Sequence, residues 1–260
     1  QVLIRDAITG AVRGRLSVPQ VAYALAFDPT GRRLACGDVA GNVTVWDLAT
    51  SRPVRQFTTG SDVRSIVFLD QSPCLVAHGK DAVFLFNVES GQEEQKVHLA
   101  GGGIRRLVAD RARGRLVVGL QSGAIVSLSL PDLTPGPGLE NAHDGSVECL
   151  ALSPDGRLLA TASDHRMVLR DALSFEAFLG LPLWAGTVRD MTFDSEGRRL
   201  AVVGTGSDVD LWDLTALHDG LTALGLAWDR PAAAVVPAPA LAPEGKQFRL
   251  AVAVLRRPAR

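Results

Sequence analysis

FDPTGRRLACGDVAGNVTVWD, residues 27–47, decides the fold. An apolar strand end at Phe27 runs into the tight turn Asp28–Gly31, written DPTG. Pro fixes φ at the second turn position and Gly supplies a permissive fourth. Arg33–Cys36 then reads as a second short strand, and Val43–Asp47 (VTVWD) as a third after another turn. Short β-rich runs separated by turn signals predict antiparallel hairpins.

The same grammar recurs along the chain. Strand ends of the VTVWD kind close at Asp6, Asp47, Asn87, Ser129, Asp171 and Asp213, at intervals of 41, 40, 42, 42 and 42 residues. A period of roughly 40–45 residues with four strands per unit is the mark of a propeller blade. Each full unit opens on a first strand: Tyr23–Phe27, Arg64–Phe68, Arg105–Val108, Glu148–Leu152 and Arg189–Phe193. The turn that follows is again explicit in SPDG at Ser153–Gly156 and in DSEG at Asp194–Gly197. The fold expected is all-β: a β-propeller of four-stranded antiparallel blades, five full plus one partial, with a short helix after the last. The unit boundaries are 1–16 (partial), 17–57, 58–97, 98–139, 140–181 and 182–213. Leu214, Leu217, Leu221 and Leu224 recur at helical spacing and predict a helix over 214–228. Residues 229–260 read as a Pro/Ala-rich linker ending in a strand, Gln247–Leu255.

Composition narrows the function. The chain has 260 residues, is 47% hydrophobic and carries a formal net charge of -1. That balance gives no support for nucleic-acid binding, which shows as a basic surplus. No apolar run reaches the roughly 18–20 residues of a membrane span, so no membrane segment is expected. Cys36, Cys74 and Cys149 are odd in number and far apart, which suits reduced core thiols in a reducing, cytoplasmic compartment. Only Lys80, Lys96 and Lys246 are lysines among 27 basic residues. With the wealth of Ala, Gly and Leu, this suggests GC-rich coding and a bacterial source.

The motifs FDPTGRRLACGDVAGNVTVWD, LSPDGRLLATASDHRMVLRD (Leu152–Asp171) and FDSEGRRLAVVGTGSDVDLWD (Phe193–Asp213) resemble blades of the WD-repeat family, over roughly residues 1–215. The resemblance implies a buried hydrogen-bonded set in each blade: a Trp, a Ser/Thr, a turn Asp and a His from the preceding loop. Trp46–Asp47 and Trp212–Asp213 keep the Trp-Asp pair, and Asp171 keeps its Asp. His143 and Asp164 are the one matching His/Asp pair, with Arg170 where their Trp would stand. The other units are expected to hold by apolar stacking. The resemblance also implies that the residue opening each first strand faces the rim of a central channel and meets partners. Those residues are Tyr23, Arg64, Arg105, Glu148 and Arg189. Three arginines and a tyrosine suit an acidic or phosphorylated peptide.

No catalytic constellation competes with this. His78, His98, His143, His165 and His218 fall in different units without metal-ligand spacing, and no metal or cofactor is expected. Gly101–Gly103 lacks the Lys-Ser/Thr of a phosphate loop. Asp28, Asp155, Asp194 and Glu196 belong to different hairpins. The expected role is therefore a non-catalytic scaffold for protein–protein contacts. The alternative is the sensor region of a signalling enzyme, such as a bacterial Ser/Thr kinase, since GLAWDRP (Gly225–Pro231) is similar to segments that follow such propellers. A propeller hydrolase or lyase would need His and carboxylate groups converging in the channel. The half unit at the start has two explanations. Upstream blades are absent from this chain, the favoured reading, or Ala232–Leu255 supplies the missing strands.

Overall fold

A computed structural model describes residues 1–70, 72–164, 166–182, 187–205 and 209–225. The segments predicted as a linker and terminal strand lie outside them, as does His165. The chain is all-β, of the β-propeller class. A half blade, β1 (Val2–Arg5) and β2 (Val12–Leu16), precedes five blades. Blade 1 comprises β3 (Ala22–Phe27), β4 (Arg33–Asp38), β5 (Asn42–Asp47) and β6 (Arg52–Thr58). Blade 2 comprises β7 (Ile66–Phe68), β8 (Cys74–His78), β9 (Ala82–Asn87) and β10 (Glu93–His98). Blade 3 comprises β11 (Ile104–Asp110), β12 (Arg115–Leu120), β13 (Ile125–Ser129) and β14 (Thr134–Leu139). Blade 4 comprises β15 (Cys149–Leu152), β16 (Leu158–Ala162), β17 (Met167–Asp171) and β18 (Ala177–Leu181). Blade 5 has three strands among the described residues: β19 (Val188–Phe193), β20 (Arg199–Gly204) and β21 (Val209–Asp213). Every sheet is an antiparallel meander in chain order. Among the described residues the chain forms two compact units: Gln1–Gly79 with Val83–Lys96, and Lys80–Ala82 with the residues from Val97 to Gly225.

Two side-chain devices make the blades repeat. The first closes the hairpin between the first and second strands. Asp28 Oδ1 accepts from the Arg33 amide at 2.8 Å, Ser153 Oγ from Leu158 at 2.9 Å, and Asp194 Oδ1 from Arg198 at 2.8 Å. The second sits at the end of the third strand. Asp6, Asp47, Asn87 and Asp171 each take backbone amides two or three residues on, forming Asx turns. Four residues beyond each strand end the backbone enters positive φ, at Gly10, Ser51, Gly91, Leu133 and Phe175. At two of these five positions the energetic cost of a side chain there is met by burial: Leu133 and Phe175 are sealed in the core.

Asp213 makes the same bonds, accepting from Thr215 at 3.0 Å and Ala216 at 2.9 Å, but here they cap a helix. α1 (Leu214–Ala223) therefore takes the place of the turn. It stops at Ala223 rather than at 228, with Gly225 at φ +72° just beyond. Leu214 is buried and Leu217 rests on the core of blades 4 and 5, whereas Leu224 is exposed.

The cores lie between facing sheets. Val2 and Leu16 of the half blade pack with Leu34, Cys36 and Trp46 of blade 1. Val117 and Ile125 of blade 3 pack with Leu150, Leu159 and Phe175 of blade 4. Leu169 and Met167 of blade 4 pack with Met191, Leu200 and Val202 of blade 5. The far face of blade 5 is different: Val209 and Leu211 are 60% and 62% exposed.

Candidate interaction surface

Three of the five predicted partner-contact positions sit on a backbone irregularity. In blade 1 Ala22 and Ala24 pair with Asp38 and Gly37, so Tyr23 is an extra, unpaired residue. The same one-residue bulge occurs at Arg105 in blade 3 and at Arg189 in blade 5. A bulge re-aims a side chain at a sheet's end. Tyr23 is half-exposed, Arg64 and Arg189 are exposed, and Arg105 and Glu148 are half-buried.

Their electrostatics differ from a plain ring of guanidinium groups, because acidic neighbours partner two of the arginines. Arg64 lies 5.8 Å over the Tyr23 ring and donates from Nε to Asp62 at 2.7 Å. In the other unit, Arg105 Nε donates to Ser146 Oγ at 3.0 Å and lies 3.6 Å from Glu148 Oε1. Arg106 bonds the backbone carbonyl of Arg189 at 2.7 Å and lies 3.4 Å from Asp190 Oδ1. Within each unit the arginines thus stand beside carboxylates. Ser146, Asp62, Arg106 and Asp190 are members that a strand-start rule misses. The signal available for Arg106 and Asp190 was their place one residue after the bulge.

The structural set in blade 4 is built around Thr161. His143 Nε2 and Thr161 Oγ1 are 2.8 Å apart, and Arg170 Nε donates to that same hydroxyl at 3.2 Å. Arg170 also donates to the carbonyls of Phe175 and Ala142. It thereby ties the turn after β17 to the loop before β15. Asp164, expected as the partner of His143, is exposed in the turn between β16 and β17. Burial, reinforced by the charges of Arg170 and Arg166, holds the His143 imidazole down at about 4, so it is neutral at pH 7.

Blade 1 keeps the Trp and loses the polar partners. Cys36 stands at the register position of Thr161, and the buried Trp46 Nε1 has no acceptor. Asp47 is held low by the amide and hydroxyl of Thr50. Burial works to raise Asp171, but bonds from Ser174 and Leu173 outweigh it and its carboxyl is held low too. Trp212 is partly buried against the core of blades 4 and 5. Blade 2 relies on stacked rings, with Phe57 4.5 Å from Phe86. Blade 3 adds an ionic lock: Asp110, fully buried, accepts from Arg115 at 2.9 Å and from Arg113 at 3.1 Å. Both arginines reach carbonyls of blade 4, at Ala172 and Gly156.

Among the described residues no three His, Cys, Asp or Glu side chains come together in metal-binding geometry. No described helix is long and apolar enough to cross a membrane.

The comparisons agree with the geometry. Residues 15–47 and 139–171 match the family described as WD domain, G-beta repeat, and they end on β5 of blade 1 and β17 of blade 4. The chain is similar to WD repeat-containing protein SL1-17 of Schistosoma mansoni, at 29% identity over 145 residues, 55% of this chain and 47% of that protein. It is similar to WD repeat-containing protein 55 of Mus musculus, at 31% over 149 residues, 55% of this chain and 38% of that protein. A longer match runs to telomerase protein component 1 of Rattus norvegicus, at 26% over 204 residues, 76% of this chain and 8% of that protein. Two segments of the chain thus match a WD-type repeat, and the chain spans less than half the length of these relatives, all of them eukaryotic.

Proposed function

We propose that this chain is a non-catalytic protein-interaction platform whose partner contacts are made by the residues that open the first strands, Tyr23, Arg64, Arg105, Glu148 and Arg189. The carrying observation is that the ladder breaks at the same position in blades 1, 3 and 5, each time presenting Tyr or Arg. WD-repeat proteins generally act as interaction scaffolds, and a rigid sheet carrying variable rim side chains suits that role. The partner is a protein or peptide bearing acidic or phosphorylated groups, met in a reducing, cytoplasmic compartment. A protein partner is preferred to nucleic acid because the charges of the chain nearly balance.

The narrower reading, a bacterial multidomain protein with an upstream kinase, rests on the arginine-rich composition and on GLAWDRP. All but Gly225 of that segment lies outside the described residues.

Affinity capture from the source organism with the complete protein tests the proposal. The triple variant Arg64→Ala, Arg105→Ala, Arg189→Ala should lose the captured partner while its melting temperature stays unchanged. Undiminished capture by the triple variant would reject the rim as the partner surface.

A further inference from the structure

The geometry points to an acid-group binding position at Arg105, occupied in the resting protein by the chain's own Glu148. This inference rests on reading the residues that open the first strands as the partner contacts. Arg105 is oriented by Ser146, whose hydroxyl takes its Nε at 3.0 Å. Glu148 Oε1 lies 3.6 Å from the same Nε, too long for a hydrogen bond, so the carboxylate is held by charge alone. The backbone around it is pinned. Val147 is fully buried and its amide bonds the Leu120 carbonyl at 3.1 Å; the Glu148 amide bonds Ala162 at 2.8 Å. The Glu148 side chain can therefore swing away without moving the strand, since among the described residues it is held by a loose ion pair with Arg105.

Across β15, Arg189 stands on the bulge of β19, and Arg106 grips that bulge through its carbonyl. Three arginines (Arg105, Arg106, Arg189) and two carboxylates (Glu148, Asp190) thus share three neighbouring first strands, with one positive charge in excess. An incoming carboxylate or phosphate on an extended peptide displaces Glu148. It gains what Glu148 lacks, two oxygens presented to a guanidinium fork.

The test is fluorescence anisotropy with three labelled peptides of one length, carrying glutamates, a phosphoserine, or glutamines in their place. The whole chain and its variants are titrated at low salt. Binding of the acidic peptides and not of the glutamine peptide is expected. Glu148→Gln should tighten it by roughly two- to five-fold, the worth of a partly exposed ion pair. Arg105→Ala should weaken it by about ten-fold or more, and Arg105→Lys should fall between because it loses the fork. Tighter binding of the phosphoserine peptide, competed by inorganic phosphate, would identify the phosphate as the source; tighter binding of the glutamate peptide would identify the carboxylate. Acidic-peptide binding that is indifferent to both Glu148→Gln and Arg105→Ala would overturn the inference. If capture of the natural partner still depends on the rim triple variant, that result leaves the platform standing. If capture ignores the triple variant as well, both fail.

Discussion

Arg106 donates from Nη2 to the backbone carbonyl of Arg189 at 2.7 Å, 83 residues along the chain, and so ties the first strand of blade 3 to that of blade 5. A bulge leaves a backbone group out of the ladder, and this guanidinium satisfies one. The same bond fixes the backbone from which the Arg189 side chain projects. Sequence alternation alone sends Arg106 to the opposite face from Arg105, which hides its service to the rim.

Arg106→Ala should therefore cost about 1.5–3 kcal/mol, the worth of a hydrogen bond to a charged group, discounted toward the lower figure by its partial exposure. Amide exchange across Val188–Met191 should quicken in the variant. An unchanged exchange pattern there would show that the bulge is held by the strand pairing alone.

His143 makes stability depend on pH. Its folded value, about 4, lies below the ordinary 6.5. The unfolded chain thus binds the extra proton between those values, and stability rises with pH across that window. The full contribution is present above pH 6.5 and is lost progressively as pH falls toward 4, by up to about 3 kcal/mol. The carboxyls of Asp47, Asp171 and Asp194, held below 3.8, lose their contribution only at lower pH. Urea melts from pH 7 to 4.5 should show the loss in the wild type and a flatter profile in His143→Gln. A wild-type profile flat over that range would refute the buried neutral imidazole.

Ala160–Leu169 in blade 4 and Ala201–Leu211 in blade 5 are the same residue pair at the same register, yet Leu169 is fully buried and Leu211 is 62% exposed. Leu169→Ala should cost about 2–5 kcal/mol, and Leu211→Ala less than about 1 kcal/mol. Equal losses would mean that the far face of blade 5 is covered in solution.

Gly119 admits Val147. A methyl group added at Gly119 would come within 2.6 Å of Val147 Cγ1 and 3.3 Å of its carbonyl oxygen. Gly37 meets Val63 in the same way in the other unit, at 2.5 Å. Gly119→Ala should destabilise by about 1–3 kcal/mol, as overpacked cores do. It should also disturb Ser146 and Glu148, which flank Val147, and so weaken acidic-peptide binding. An alanine variant of wild-type stability would contradict the packing.

The blade period, the strand order and the helix after β21 were legible in the sequence because each rests on local rules: alternation, turn chemistry and spacing. The charge partners of the strand-start residues were not legible. Arg105 meets Glu148 and Ser146 across about 41 residues of chain, and such a meeting follows from neighbouring blades, not from any local pattern. The Thr161 hydroxyl was hidden for a like reason. It reads as one more strand residue until His143 and Arg170 converge on it. The helix closes at Leu224 and Gly225, where the leucine series itself ends.

Hydrogen exchange on the complex with the captured partner tests the platform most directly. Protection on binding should appear at the strand starts, around residues 62–64, 104–106, 146–148 and 187–190, and should vanish in the rim triple variant. Protection confined to the hairpins at the other strand ends, around residues 28–33 and 153–158, with none at the strand starts, would contradict the account.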